Sequence, residues 1–507
     1  ASAYAGLEAH FFGNNEAFAG PSTNWIFDVR SDDAYKGGGG TGMEENIHLL
    51  EVSEVNSDNV SCLNKWQNNY YAISRVHNAM LAVQQASSIS NADEIMGELK
   101  TLRAWYYFDL IRIFNRIPYF TEGEDVNTKP NDEYSRDEIF SFIKRDLTEA
   151  IEMLPAQKSS AGRITRTTAQ AIMAKVCAFT SSWEDVKTYT DAVINSGQYS
   201  LYPNFGDLSQ IDNNNGSESI FALQCSTAND NAHINWSNLL NCTYSDGNLY
   251  GTGDDFFYGS QNLVNAFRTD AAGMPYLNTF NNTDYNKSLD YADPRLFLTV
   301  GLPGSPYEFN TNFIMAENSI WSRSNGLYGY YVTLKHNVDP ESGYLIKGAW
   351  WGSPMNRIVF RYADVLLERA EALVQLNDGR ISEAIQLVNQ LRSRAKQSTA
   401  MISDYESLYG FRSNIGLYTG AYGKDEALQI VKMERRLELA LESERFFDLV
   451  RWGEAEQVIN QYYAEEANDC SIYTAAHFTK NKNEYLPIPY SQVAAANGHY
   501  TQNIGGW

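Results

Sequence analysis

The chain has 507 residues, with 62 acidic against 39 basic side chains and a formal net charge of −23; its 43% hydrophobic and 20% charged content is that of a globular protein. Such a field repels phosphate backbones, so nucleic acid is excluded as an expected partner, while an uncharged ligand such as a sugar feels no repulsion. Five cysteines without C-x-x-C spacing and seven scattered histidines support neither a disulfide framework nor a metal site, and no cofactor motif is present.

The chain opens on Ala1-Ser2-Ala3-Tyr4-Ala5-Gly6-Leu7, which reads as mid-helix. The natural start, with any leader or lipid-attachment cysteine, is expected to be missing. The run from Asn24 through Trp25, Asp28, Asp32 and Tyr35 to Lys36 leads into four glycines, Gly37 to Gly40. Four glycines in a row predict a flexible or closely approached loop. The Gly-Lys-Ser/Thr end of a phosphate-binding loop is absent.

Helical hairpins follow. Tyr70, Ile73, Val76, Met80 and Val83 form one apolar stripe; Ile95, Leu99, Leu102, Tyr106, Leu110 and Ile113 form the next. Ser135 and Glu138 make a capping box before the stripe Ile139, Ile143, Leu147, Ile151 and Leu154, which Pro155 ends. Thr167 and Gln170 are read as the cap of a further helix, whose Ala171, Ala174 and Ala178 suit close helix contact. From about 202 to 351 the chain is rich in Gly, Asn, Ser, Pro and aromatics, with short apolar runs such as Ile220 to Leu223. This is loop country, where binding residues gather.

Helices return with Ala363, Leu366, Leu367, Ala370 and Leu373, a turn at Asn377-Asp378-Gly379, and Ile381 to Leu391 running back as an antiparallel hairpin. The segment Glu434 to Trp452 then interleaves charge and apolar residues at helical spacing. Read as one helix, it pairs Arg435 with Glu438, Glu442 with Arg445 and Asp448 with Arg451, each one turn apart.

The exact string Glu434-Arg435-Arg436-Leu437-Glu438-Leu439-Ala440-Leu441-Glu442-Ser443-Glu444-Arg445-Phe446-Phe447-Asp448-Leu449-Val450-Arg451-Trp452 resembles the near-C-terminal signature of the SusD/RagB family. Other blocks resemble that family in its order. They are Arg103 to Leu110 with Ile117-Pro118, Ser217 to Phe221, Gln261 to Phe267, Asp293 to Leu296, Arg361 to Ala372, Asn389 to Ala395, and Leu486-Pro487-Ile488-Pro489 with Thr501-Gln502-Asn503. One departure is Ile504, where the family has Pro. The resemblance implies a mainly α fold: a tetratricopeptide-like helical-hairpin scaffold carrying a loop-rich α+β ligand-binding subdomain. Hairpins from about 66 to 196 and 361 to 455 are expected to form one scaffold. The division expected is 1–200, then 201–507, the latter with a loop-rich part (201–355) and returning helices (356–460).

The same resemblance implies a non-catalytic protein, lipid-anchored on the extracellular face of the outer membrane. It would capture oligosaccharide or polysaccharide and deliver it to a SusC-like TonB-dependent outer-membrane transporter. A polysaccharide-degrading enzyme and a peptide-binding RagB-type import protein are the alternatives.

A sugar ring has apolar C–H faces edged by hydroxyls, so aromatic platforms flanked by Asp, Asn or Arg are sought in loops. The candidates are Trp25, Asp28, Asp32 and Tyr35 before the glycines, Trp321, Arg323 and Tyr328 in the run Trp321 to Tyr331, and the tandem Trp350-Trp351. These three loops are expected to converge on one face with at least one exposed Trp. The opposing reading is that each Trp plugs the core below it.

Overall fold

A computed structural model describes residues 2–7, 26–125, 129–157, 160–227, 235, 241, 253–317, 321–335, 337–346 and 352–507. Helices α1 (Val60–Gln85), α2 (Ala92–Phe114), α3 (Arg136–Met153), α4 (Arg166–Phe179) and α5 (Trp183–Asn195) occupy the expected positions. Their stripes point inward: Ile73, Val76, Met80, Leu102, Tyr106, Leu110 and Ile143 are all at most 2% exposed. Ser135 caps α3 by accepting from the Glu138 N–H, and Glu138 accepts from the Ser135 N–H in return. The α4 cap lies two residues earlier than predicted. Thr165 accepts from Thr168 N–H, and Thr167 is already inside the helix. Ala171, Ala174 and Ala178 are buried, so neighbouring helices approach α4 closely.

The second helical block is α6 (Tyr362–Leu376) and α7 (Ile381–Gln397), with Asn377 left-handed at the turn. It packs against α5 and α4. Lys175 of α4 reaches Asp364 of α6 at 2.8 Å and Glu444 at 2.6 Å, deep in the interface. The two helical regions therefore form one scaffold, as predicted.

The signature segment departs from the sequence reading. It is two helices, α8 (Lys424–Leu439) and α9 (Arg445–Trp452), separated by Leu441 and Ser443 in the left-handed region. The break turns the charges in different directions. Arg435 pairs with Asp448 and Asp364, both at 2.9 Å, rather than with Glu438. Glu442 pairs with Arg361 at 2.8 Å and Lys335 at 2.6 Å rather than with Arg445. Only Asp448–Arg451 keeps its expected partner, at 2.8 Å. An exposed helix would pair neighbours along its surface. These side chains are buried, so each goes where a desolvated charge needs an opposite one.

The lattice centres on Glu438. Arg361 and Arg295 donate to it at 2.6 and 2.9 Å, and Arg394 reaches the same carboxylate. Burial alone would raise the Glu438 carboxyl, but Arg394, Arg361 and Arg295 overcome that and hold it below the ordinary range. Arg361 also binds Glu218, which sits just before β2 (Ser219–Leu223), the strand expected from the Ile220 run.

A four-stranded sheet supports the loop-rich part. β1 (Ala34–Gly37) pairs antiparallel with β3 (Phe256–Gly259) in the register Ala34↔Gly259 and Gly37↔Phe256. β5 (Tyr331–Thr333) then joins β3 and β4 (Val300–Gly301), giving the order β1-β3-β5-β4. A further strand, β6 (Arg357–Arg361), pairs with β2. No helix among the described residues is long and apolar enough to cross a membrane.

Candidate functional site

The register of β1 on β3 decides what the predicted loop can present. Gly37 is the last strand residue, at φ 76°, and a Cβ there would lie 2.4 Å from the Asp255 carbonyl. Gly38, at φ 77°, lies against the Phe256 ring, and its N–H donates to the Asp255 carbonyl at 2.6 Å. Only glycine fits both demands. Between the two offered readings, flexible or closely approached, the structure takes the second.

Lys36 fixes the turn that follows. Its buried ammonium donates to the carbonyls of Gly37, Gly40 and Met43 at 3.1, 3.0 and 2.6 Å, with the Phe256 and Tyr328 rings 5.2 and 5.1 Å away. Burial pushes the Lys36 amine down to about 8, against the pull of Glu51 and Glu44. The loop is thus wrapped around a cation, leaving Gly39, Gly40 and Gly42 as a bare backbone shelf.

The run from Trp321 lies over the same shelf. Arg323 N–H donates to Asp255 Oδ2 at 2.6 Å, and its exposed guanidinium passes 3.5 Å from Met43 Sδ, above Gly39. Glu44 and Asp254 complete the rim. Burial raises both carboxyls, opposed by Lys36 at Glu44 and by Arg323 at Asp254. Asp254 Oδ2 is buried without a hydrogen-bond partner. Tyr330, later in the same run, is half-buried and edge-on to Tyr331 at 4.8 Å between ring centroids.

Two of the three predicted loops therefore meet, but most of the named side chains turn inward, which corrects their reading as sugar contacts. Asp28 is fully buried and accepts from the Ser443 N–H at 2.9 Å; burial, with Asp33 adding, pushes its carboxyl well up. Asp32 is held by both Nε and Nη2 of Arg445 at 2.8 Å, and these guanidinium contacts with Arg436 outweigh burial and keep its carboxyl low. Tyr35 donates to Glu466 and accepts from Gln261 N–H at 2.9 Å. Trp321 and Tyr328 are each 1% exposed. Trp321 thus takes the core-plug role. Of the nine, Arg323 is the described residue that faces solvent; Trp25, Trp350 and Trp351 lie outside the described residues.

Lys36, Glu44 and Asp254 went unassigned in the sequence. Lys36 carried a signal, since a lone lysine abutting a glycine run can fold that run around itself. Asp254 is half of a carboxylate pair, Asp254-Asp255, whose neighbours come only from the sheet register. Among the described residues no cluster of His, Cys, Asp and Glu is arranged to hold a metal.

Comparison with known proteins agrees with this architecture. Residues 217–507 match the SusD family, and residues 34–179 match a family described as starch-binding associating with outer membrane. SusD-like protein P38 of Formosa agariphila is 27% identical over 422 residues, covering 78% of this chain and 73% of the relative. SusD-like protein P2 of the same organism is 24% identical, covering 97% and 90%. A laminarin-binding SusD-like protein superposes over 100% of this chain and 97% of its own, with TM-score 0.72 at 21% identity. Surface glycan-binding protein A of Bacteroides thetaiotaomicron, in complex with laminarihexaose, superposes over 99% and 97%, with TM-score 0.72 at 18% identity.

Proposed function

Because the chain belongs to the SusD family, we propose that it captures oligosaccharide or polysaccharide at the extracellular face of the outer membrane, without cleaving it, and passes it to a SusC-like TonB-dependent transporter. A lipid anchor ahead of residue 1 would hold it there. Family membership carries the reading. The shelf at Gly39 to Gly42, rimmed by Glu44, Asp254 and Arg323, supports it as a surface where a polar, uncharged chain can approach backbone closely. Carboxylates there accept from hydroxyls, and the Arg323 guanidinium donates to ring and hydroxyl oxygens.

Two structural relatives are described as binding laminarin or laminarihexaose, so laminarihexaose is the first probe, followed by maltohexaose and cellohexaose. Calorimetric titration with one of them is expected to give a measurable Kd that Arg323→Ala weakens. The same saccharides incubated with the protein are expected to release no new reducing ends. Release that disappears in Asp254→Asn would overturn the non-catalytic reading. Co-purification with the transporter encoded alongside, and tighter saccharide binding by that complex than by the isolated chain, would be expected of a shared site.

A further inference from the structure

A second concavity of about 330 Å3 lies between the turn preceding α4 and the edge of β2, and shares no lining residue with the β1–β3 surface. That volume is at the lower end of the roughly 300–1,000 Å3 range of small-molecule sites. Its lining is dominated by uncharged polar groups. Gln157, Gln198, Asn215 and Tyr199 are among the residues that line it. Each amide offers donors and an acceptor together.

The cleft is built, rather than being a gap between loops. Tyr199 is locked at both ends: its hydroxyl meets Thr167 Oγ1 at 3.0 Å, and its ring stacks on Tyr362 at 6.5 Å and 28°. Asn215 stands in the left-handed region at φ 60°, and its amide exchanges hydrogen bonds with the Gln224 amide at 2.8 and 2.9 Å. Gly162 makes room for that pair. It has φ 76°, and a Cβ there would lie 2.5 Å from Gln224 Cγ. Arg163 is the one charged group in the lining, and its Nε and Nη2 donate to Glu98 at 3.0 and 2.5 Å. The lining therefore presents no net charge in a chain of −23.

We propose that this cleft is a second, weaker binding site for a neutral saccharide unit. The amides of Gln157 and Gln198 suit hydroxyls that each donate and accept, the Asn215 amide can exchange its Gln224 bonds for equivalent ones to a hydroxyl, and the fixed Tyr199 ring offers a face for C–H groups. An anion would need an unpaired cation, and Arg163 already has its carboxylate. A lipid would need a continuous apolar wall, which the amides interrupt. The choice of saccharide over another neutral polyol rests on the proposed function. The cleft would hold a further stretch of a long glycan that the β1–β3 surface also grips, raising its effective concentration there.

The test is calorimetric titration of the whole chain with laminarihexaose, maltohexaose and cellohexaose. One of these should show two classes of site. The double variant Asn215→Gly with Gln198→Ala keeps the left-handed backbone and removes two amides; it should weaken the looser class at least tenfold and leave the tighter one. Arg323→Ala should do the reverse, with thermal melts unchanged in both. A single class of site, weakened by Arg323→Ala and untouched by the double variant, overturns the cleft and leaves the proposed function standing. Displacement of the looser class by inorganic phosphate overturns the neutral-ligand assignment. Binding of none of the three at either place overturns both readings.

Discussion

Around Glu438, three guanidinium groups meet one buried carboxylate, and the neighbouring Glu218 and Glu442 are likewise paired within 3.1 Å. Around Gly39, a few strands away, Asp254 keeps a buried oxygen without a partner and Arg323 extends into solvent. Both regions are rich in charge, and they use it oppositely. In the first, each charge is desolvated and paired with an opposite charge of the protein itself, although Arg394 Nε is left without a hydrogen bond. In the second, one carboxylate oxygen is left without a hydrogen bond and a guanidinium lies at the surface. The signature that identifies the family belongs to the first region, which is why it says so little about what is bound.

The sharpest way to break this contrast is to open the first region. Arg361→Met leaves Glu218, Glu438 and Glu442 short of a counter-charge, and should cost on the order of 3–5 kcal/mol in urea unfolding. A loss below about 1 kcal/mol would mean that water or rearrangement already compensates these groups.

Lys36 stands between the regions: buried like the lattice, but serving the shelf. Lys36→Met strips three carbonyls of their donor and should cost about 1–3 kcal/mol. Saccharide binding should suffer more than stability does. Equal wild-type affinity in a folded variant would mean that the loop holds its shape without the cation.

Glu466, under Tyr35 of β1, gives a pH handle. Burial pushes its carboxyl from the ordinary 4.5 up to about 7, beyond what the Tyr35 hydrogen bond recovers. The folded chain therefore keeps a proton that the unfolded chain releases above about pH 4.5. The linked stability is complete below that pH and is lost as pH rises through about 7, at up to about 1.4 kcal/mol per unit. Glu466→Gln should flatten this part of the stability profile. An unchanged slope would assign it to another group.

The smallest stability effect is expected at the open surface. Arg323→Ala should change unfolding free energy by less than about 0.5 kcal/mol, yet weaken saccharide binding roughly tenfold, which corresponds to about 1.4 kcal/mol. A melt that drops by many degrees would place Arg323 with the structural charges instead.

The scaffold was legible because apolar periodicity is local: the stripes on α1, α2 and α3 need no knowledge of distant residues. The α3 cap was legible for the same reason. Charge partners were not. Pairing one turn apart assumed an unbroken helix, and Leu441 and Ser443 break it. Arg361 finds Glu438 at a separation of 77 positions, a match no local pattern encodes. The candidate surface failed in a different way. Trp, Asp and Tyr in a glycine-rich stretch read as exposed, but strand pairing buried Tyr35 and the arginines of α8 and α9 drew in Asp32. The exposed Arg323 and the half-buried Asp254 lie where the strand pairing of β1 on β3 brings distant segments together, which sequence spacing does not reveal.

That register, and the carboxylates beside it, also set an order of events. Asp28, Asp32 and Asp33 find their partners at Ser443, Arg445 and Arg436 across 403 to 415 positions. During synthesis the helical hairpins can form from nearby sequence, but the early strand must wait for α8 and α9. Its docking closes a long loop and comes late. Copies that are clipped or stalled before residue 424 keep a helical framework but leave these three acids without those partners. The β1 edge is thus assembled only once the chain has been made through α9, whereas the cleft beside β2 is built wholly from residues that precede α8.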